Sequence, residues 1–140
     1  MSTLERAVAI AAQAHAGQTD KAGEPYILHP LRLMLSMVSD LERIVAVLHD
    51  VVEDSDIKLD QLRAEGFSEK AVAAIDALTK RDGESRMDAA ARAKANAVAL
   101  RVKLSDNADN QDMTRIGKLT EKDLERIEEY KRVRAFLLGQ

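Results

Sequence analysis

The sequence has 140 residues and a formal net charge of −3, from 21 lysines and arginines against 24 aspartates and glutamates. A nucleic-acid partner is not expected, because phosphate backbones require a clustered basic excess. The absence of cysteine excludes disulfides, cysteine-ligated zinc and a thiol nucleophile. No apolar stretch approaches the roughly 20 residues of a membrane span, and no signal peptide is visible. We therefore expect a cytoplasmic protein without a membrane partner.

The composition favours an all-α fold. Alanine, leucine, arginine and glutamate are abundant, whereas the chain has only two prolines and six glycines. Strand-like alternation is absent, so no β-sheet is expected. Because no linker, repeat or low-complexity segment divides the chain, residues 1–140 are predicted to form a single compact helical domain.

The first half of the chain predicts three helices. Ser2 and Glu5 have the spacing of a capping box, and apolar residues then recur at helical intervals to about Ala16. A loop over 18–28 follows. Pro30 suits the first position of a second helix.

The third predicted helix is capped by Asp40, runs to about Asp54 and is apolar on most sides, as expected for a buried central helix. His49 and Asp50 interrupt this apolar surface, and Glu53 and Asp54 follow one turn later. Burying two titratable groups costs several kcal/mol unless something pairs with them, and a divalent metal ion would do so. The alternative is a chance cluster of acids at a helix end that reaches solvent.

Five further helices are predicted in the remainder of the chain. They are Leu59–Glu65, a helix capped by Ser68 that ends near Lys80, a helix from the 81–85 loop to about Lys94, Ala97–Met113, and a helix capped by Thr120 that ends near Leu138.

A second polar group lies on the penultimate predicted helix. Asp106 follows an apolar Val-Lys-Leu run after a single serine and shares a helix face with Asn110, which makes it a better ligand candidate than a solvated aspartate. His29 stands where the long loop meets the second helix, a position that on its own is more often structural. Together with His49 and Asp50, these residues would supply two imidazoles and two carboxylates. Such a mixed set suits Mn²⁺, Fe²⁺, Co²⁺ or Zn²⁺ and can converge inside a helical bundle.

Four segments carry a family resemblance: AHAGQ at 14–18, GEPYILHP at 23–30, LHDVVEDS at 48–55 and VKLSD at 102–106. In this order they resemble the hydrolase domain of the Rel/SpoT alarmone enzymes, which are HD-domain metal-dependent phosphohydrolases. The similarity covers about residues 5–115. The short chain without a synthetase domain resembles the small alarmone hydrolases, including the metazoan SpoT homologs.

The resemblance implies an HD-type helical bundle that removes the 3′-pyrophosphate from guanosine tetra- or pentaphosphate to give GDP or GTP. It implies a single bound Mn²⁺, or another divalent transition metal, and a nucleotide as the small-molecule substrate. The implied site consists of the metal ligands His29, His49, Asp50 and Asp106, the water-activating residues Glu53 and Asp54, and the substrate-binding residues Lys21 and Asn110.

Two positions depart from the family pattern. Asp20 stands where relatives carry an arginine that packs on the guanine, and Asp109 stands at an aromatic or histidine position. A carboxylate offers no stacking plane, although it can accept hydrogen bonds from the guanine edge. Two alternatives therefore stay open: a related nucleotide phosphohydrolase with another base or phosphate position, and a catalytically weak nucleotide-binding sensor.

Several other residues have two interpretations. His15, near the end of the first helix, favours the helix dipole when charged and is expected to be structural or to support the site. Lys80, Arg81, Arg86 and Arg115 are candidates to line a phosphate pocket, although solvation at the surface is the more common fate of such residues. The sequence does not indicate the oligomeric state.

Overall fold

The computed structural model describes residues 2–112 and 117–140, which contain nine α-helices and no strand beyond one isolated bridge between Thr19 and Pro25. The all-α prediction is confirmed. No helix in these two ranges is both long and apolar enough to span a bilayer. The helices are α1 (Leu4–Ala14), α2 (Leu28–Ser36), α3 (Asp40–Leu48), α4 (Val51–Asp54), α5 (Leu59–Ala64), α6 (Glu69–Leu78), α7 (Arg86–Lys94), α8 (Ala97–Gln111) and α9 (Glu121–Leu137).

Side-chain caps correct two of the predicted helix starts. The α1 helix is capped by Thr3 and not by Ser2, whose amide instead donates to the carbonyl of Gly66. The α3 helix is capped by Ser39 in a capping box, so Asp40 is its first helical residue. In both cases the cap lies one residue from the predicted position, because neighbouring polar residues compete for the same free amides.

The start of α2 positions the first histidine of the site. This helix begins at Leu28, so Pro30 is its third residue and not its first as predicted. Proline is tolerated there because the first-turn amides have no partner within the helix. His29 is thereby held in the first turn and is buried. The predicted caps Ser68 and Thr120 are confirmed.

The predicted central helix is divided at His49 and Asp50. The α3 helix ends at Leu48 and α4 begins at Val51, so the prediction of one continuous helix is wrong. The Nδ1 atom of His49 lies 2.7 Å from the carbonyl oxygen of Ala46, and this side-chain bond competes with the helical ladder.

The core is built around α3, which packs against α1, α2, α6 and α8. Its residues from Val45 to Leu48 are fully buried, and burial of each large aliphatic side chain contributes about 1.5–3 kcal/mol. A smaller cluster around Ala90, Val133 and Leu137 joins α9 to the bundle. The end of α3, the start of α2 and the middle of α8 therefore meet at one edge of the main core.

Candidate metal centre and substrate cleft

Ligand candidates from three separate segments meet at this edge. The ligand atoms of His29, His49 and Asp50 all lie within 4.8 Å of one another. The Oδ1 atom of Asp106 lies 3.0 Å from Nε2 of His29 and 3.7 Å from Nε2 of His49. Two imidazole nitrogens and two carboxylates thus surround one point, as the sequence led us to expect.

The hydrogen bonding of His49 leaves one ring nitrogen unpartnered. Its Nδ1 atom must donate to the carbonyl of Ala46, because a carbonyl oxygen only accepts. The opposite nitrogen, Nε2, faces the carboxylates of Asp50 and Asp106. It is buried and has no hydrogen-bond partner within the described residues, although Oδ2 of Asp50 lies only 3.0 Å away. A divalent cation bound by these atoms would supply the partner that Nε2 lacks.

The electrostatics of the cluster favour a bound cation. Burial alone would lower the pKa of His49, but the carboxylates of Asp50 and Asp106 raise it well above its usual value. Burial would raise the pKa of Asp106, yet hydrogen bonding with His29 and His49 holds it well below its usual range. The two carboxylates therefore remain ionised, and the protonated ring of His49 balances them until a divalent ion takes the place of its Nε2 hydrogen.

His29 is oriented by residues that sequence reasoning missed. Its Nδ1 atom lies 2.6 Å from Oδ2 of Asp109 and its Nε2 atom lies 3.0 Å from Oδ1 of Asp106, so each ring nitrogen meets a carboxylate. Asp109 also accepts from Arg32 through Nε at 2.8 Å and Nη2 at 2.9 Å. Both Asp109 oxygens therefore bind protein groups, which argues against the expected role in reading a guanine edge. The sequence carries one signal of this contact. His29 and Arg32 are three residues apart, as are Asp106 and Asp109, so each pair shares a helix face.

Tyr26 closes another side of the site. Its hydroxyl donates to Oδ2 of Asp50, and burial together with that carboxylate raises its pKa, so the hydroxyl stays protonated. The Tyr26 ring lies between two histidines, with centroid distances of 4.9 Å to His15 and 5.6 Å to His29. His15 is buried and its Nδ1 bonds Oε1 of Gln18 at 2.9 Å. The structure thus places His15 behind Tyr26 and not against the ligand atoms.

The two acids of α4 are exposed, although the sequence places them on a helix predicted to be buried. Glu53 lies in the wall of the site, where Oε1 accepts from the amide of Lys80 at 2.8 Å. Partial burial, followed by the negative charges of Asp50 and Glu53, raises the pKa of Asp54 to about 6. Both acids follow the break after α3, on a short helix whose first residue, Val51, is buried in the core.

Two adjoining cavities form one cleft over the ligand cluster. The metal cavity, of about 310 Å³, contains His49, Asp50, Glu53 and the basic residues Lys80, Arg86 and Lys103. The adjacent cavity, of about 320 Å³, contains Lys21, Arg32, Asp109 and Arg126. The residues common to both are Tyr26, His29, Asn110 and Tyr130. The two cavities thus offer room for a charged group at the ligand cluster and for a second group beside it.

The predicted substrate-binding residues lie in this cleft. Asn110 lines both cavities, and its Nδ2 donates to Oδ1 of Asp106 at 3.2 Å. Lys21 lines the adjacent cavity, is more than half exposed, and has Nζ 3.9 Å from Oδ1 of Asp123. Asp20 has a local role: its Oδ1 accepts from two amides of its own loop, those of residues 22 and 24.

The remaining basic candidates divide by position. Lys80 and Arg86 line the metal cavity. Arg81 instead pairs with Asp76 at 2.8 Å on the exposed surface. Arg115 lies outside the described residues.

A family model described as "HD domain" matches residues 7–111. The chain belongs to the HD domain family. This membership implies dependence on a divalent metal ion, and the cluster of His29, His49 and Asp50 supplies a fitting set of ligand atoms in this HD domain.

Curated relatives share this region. The guanosine-3′,5′-bis(diphosphate) 3′-pyrophosphohydrolase of Vibrio cholerae is 38% identical over 86 residues, which are 59% of this chain and 12% of that protein. The GTP pyrophosphokinase of Streptomyces coelicolor is 34% identical over 120 residues, which are 76% of this chain and 14% of that protein. The chain thus spans only a small fraction of the length of the curated relatives that it matches.

A solved structure shares the whole fold. It is described as a metazoan ortholog of SpoT that hydrolyzes ppGpp, and it superposes with a TM-score of 0.78 over 99% of this chain and 86% of its own. The sequence identity is 19%. The likeness establishes that the HD-type helical bundle expected from the sequence is the fold of this chain.

Proposed function

We propose that this HD domain is a metal-dependent hydrolase that removes the 3′-pyrophosphate from guanosine tetra- or pentaphosphate. Water would attack the phosphorus atom bonded to the ribose 3′ oxygen and break that phosphorus–oxygen bond. Pyrophosphate would leave, and the 3′ oxygen would take up a proton to give GDP or GTP. The observation that carries this proposal is the convergence of two imidazoles and two carboxylates at the base of a cleft with basic walls. The printed activities of the Vibrio cholerae relative and the metazoan structure support the choice of substrate.

We assign His29, His49, Asp50 and Asp106 as the ligands of the metal ion, and Mn²⁺ as the ion. The mixed nitrogen and oxygen donor set supports this choice. When bound, a divalent ion polarises the phosphate and lowers the pKa of a coordinated water. Within the protein, Tyr26 and Asn110 hold the two carboxylate ligands through hydrogen bonds to Asp50 and Asp106.

The acids beside the ligands are proposed to activate the attacking water. Glu53 is fixed at the cavity wall by the Lys80 amide, from where its carboxylate can accept the water proton. Asp54, with its pKa raised to about 6, can exchange a proton near neutral pH. These roles separate metal binding from proton transfer, and variants can test each one alone.

The two halves of the cleft suit the two parts of the substrate. Lys80, Arg86 and Lys103 line the metal cavity and would balance the charge of the pyrophosphate. We place the nucleoside in the adjacent cavity, where Lys21 and Asn110 are proposed to contact it.

The test is incubation of Mn²⁺-loaded protein with guanosine tetraphosphate, with pyrophosphate and inorganic phosphate measured separately. The proposal expects pyrophosphate together with GDP. Release of inorganic phosphate alone, or turnover only of an adenosine 3′-pyrophosphate, would favour the related phosphohydrolase. Tight nucleotide binding without turnover would favour the sensor. The cytoplasmic location and the lack of a nucleic-acid partner stay predictions.

A further inference from the structure

The side of His29 that faces away from the ligand cluster is held by a carboxylate. Nδ1 of His29 and Oδ2 of Asp109 are 2.6 Å apart, and only 8% and 13% of the two side chains are exposed. Because an ionised carboxylate only accepts, this contact holds a ring hydrogen on Nδ1. A metal ion would then meet the ring at Nε2, where it would replace the hydrogen shared with Asp106 at 3.0 Å. The short, largely buried bond also fixes the rotation of the ring.

Asp109 is in turn held from its second side. The guanidinium of Arg32 approaches both Asp109 oxygens, at 2.8 Å and 2.9 Å, in a two-point arrangement that a single ammonium group cannot reproduce. Burial would raise the pKa of Asp109, but His29 and Arg32 lower it below its usual range, so the carboxylate stays ionised. The three side chains form one connected unit.

The position of this unit in the fold connects two helices of the site. His29 and Arg32 are separated by one turn on α2, and Asp106 and Asp109 are separated by one turn on α8. Because α2 and α8 face each other here, the imidazole of His29 has one carboxylate at each nitrogen. Asp106 lies at Nε2 and Asp109 lies at Nδ1.

We infer that Arg32 and Asp109 form a positioning pair that fixes the tautomer and orientation of His29 for metal binding. The inference rests on the proposed metal centre and adds to it two residues that do not touch the metal. Carboxylates that bind the far nitrogen of a ligand histidine commonly contribute 10–100-fold to metal affinity or activity.

The experiment compares the affinity of each variant for Mn²⁺ in competition with a fluorescent chelator and without nucleotide. Asp109→Ala is expected to weaken binding by roughly 10–100-fold. Asp109→Asn keeps an oxygen that can accept from His29, so its loss is expected to be smaller. Arg32→Met removes the two-point contact with the Asp109 carboxylate and keeps the bond from His29 to it, so we expect an intermediate loss.

A matched control separates positioning from general stability. Arg101 on α8 forms an ion pair with the buried carboxylate of Glu42 on α3, outside the ligand cluster. Arg101→Met is expected to lower the Tm while leaving the Kd for Mn²⁺ within twofold of the parent. An equal loss of affinity in this control would overturn the inference, because the loss of any ion pair in the fold would then weaken Mn²⁺ binding to the same extent.

A second readout does not depend on the bound ion. In nitrogen-15 NMR of the imidazole rings in metal-free protein, Asp109→Asn and Arg32→Met are expected to shift the Nδ1 resonance of His29 more than that of His49. If Asp109→Ala fails to fold, these two variants decide the matter. Parent-like Mn²⁺ affinity and a parent-like His29 resonance in both would overturn the positioning pair alone. Absence of Mn²⁺ binding by the parent would overturn the metal centre itself.

Discussion

The Nε2 atom of His49 and the Oδ2 atom of Asp50 lie 3.0 Å apart, yet no hydrogen bond joins them. The Ala46 carbonyl accepts the hydrogen on Nδ1, so a cation can meet this ring only at Nε2. The carboxylates of Asp50 and Asp106 raise the pKa of His49 well above its usual value, so a proton on the ring balances their charge when no metal ion is bound. A divalent cation bound by these atoms would take the place of that proton, which is why we regard the contact as the basis of the site.

Loss of one carboxylate ligand is predicted to abolish stoichiometric metal binding. Asp106→Ala removes the oxygen that lies near both histidine Nε2 atoms. We expect Mn²⁺ affinity to fall by more than roughly 100-fold, because even outer residues of metal sites contribute 10–100-fold. Elemental analysis after desalting measures this, with Asp82→Ala in an exposed loop as the control. Full metal content in the Asp106 variant would show that the ligand set is wrong.

The second prediction separates metal binding from proton transfer. Glu53→Gln retains an oxygen that can accept from the Lys80 amide but removes the base. The kcat is expected to fall by roughly 10²-fold or more, the usual scale for loss of a general base, while the Kd for Mn²⁺ stays within twofold. Steady-state kinetics and chelator competition provide the two values. A parent-like kcat would mean that Glu53 is only a solvated helix residue.

Asp54 is predicted to make the stability of the metal-free protein depend on pH. Its folded pKa of about 6 lies above its ordinary value of 3.8, so the stabilisation that it provides is complete below about pH 3.8. That contribution is lost as the pH rises through about 6. Asp54→Asn removes the effect, and its Tm relative to the parent should therefore rise between pH 4 and pH 7. Thermal melts in chelator check this, with Asp56→Asn as the exposed neighbour for comparison. A constant Tm difference across this range would contradict the prediction.

Removal of the metal is predicted to destabilise the whole domain. The ligands come from α2, from the break between α3 and α4, and from α8, so an ion bound by them would hold separate parts of the fold together. At a free Mn²⁺ concentration of 100 times the Kd, the free energy of unfolding should rise by about 2.7 kcal/mol. Urea unfolding with and without chelator measures it. Superimposable curves would indicate that the folded protein does not bind the ion.

The helical fold and the convergence of the four ligand candidates could be foreseen from the sequence. The reason is that polar residues inserted in apolar helical segments must face one another when those segments pack. The break after Leu48 could not be foreseen, because it depends on a side-chain bond from His49 to its own helix. A periodic apolar pattern carries no sign of such a bond.

The role of Asp109 was missed for a different reason. Its partner His29 is 80 residues away in the chain, and only the packing of α2 against α8 brings them together. Sequence comparison marked Asp109 as a departure from the family pattern and suggested an effect on base recognition. The structure instead shows its carboxylate bound to His29 and Arg32, so the departure lies beside a proposed metal ligand.

The central claim is most directly tested by measuring pyrophosphate release from guanosine tetraphosphate while Mn²⁺ is titrated into metal-free protein. The account predicts that activity rises linearly and reaches a plateau at one ion per chain, with pyrophosphate and GDP formed in equal amounts. Asp50→Ala, which lacks a proposed ligand, should stay inactive throughout the titration. No pyrophosphate at any Mn²⁺ concentration, or equal release by the parent and the Asp50 variant, would contradict the account.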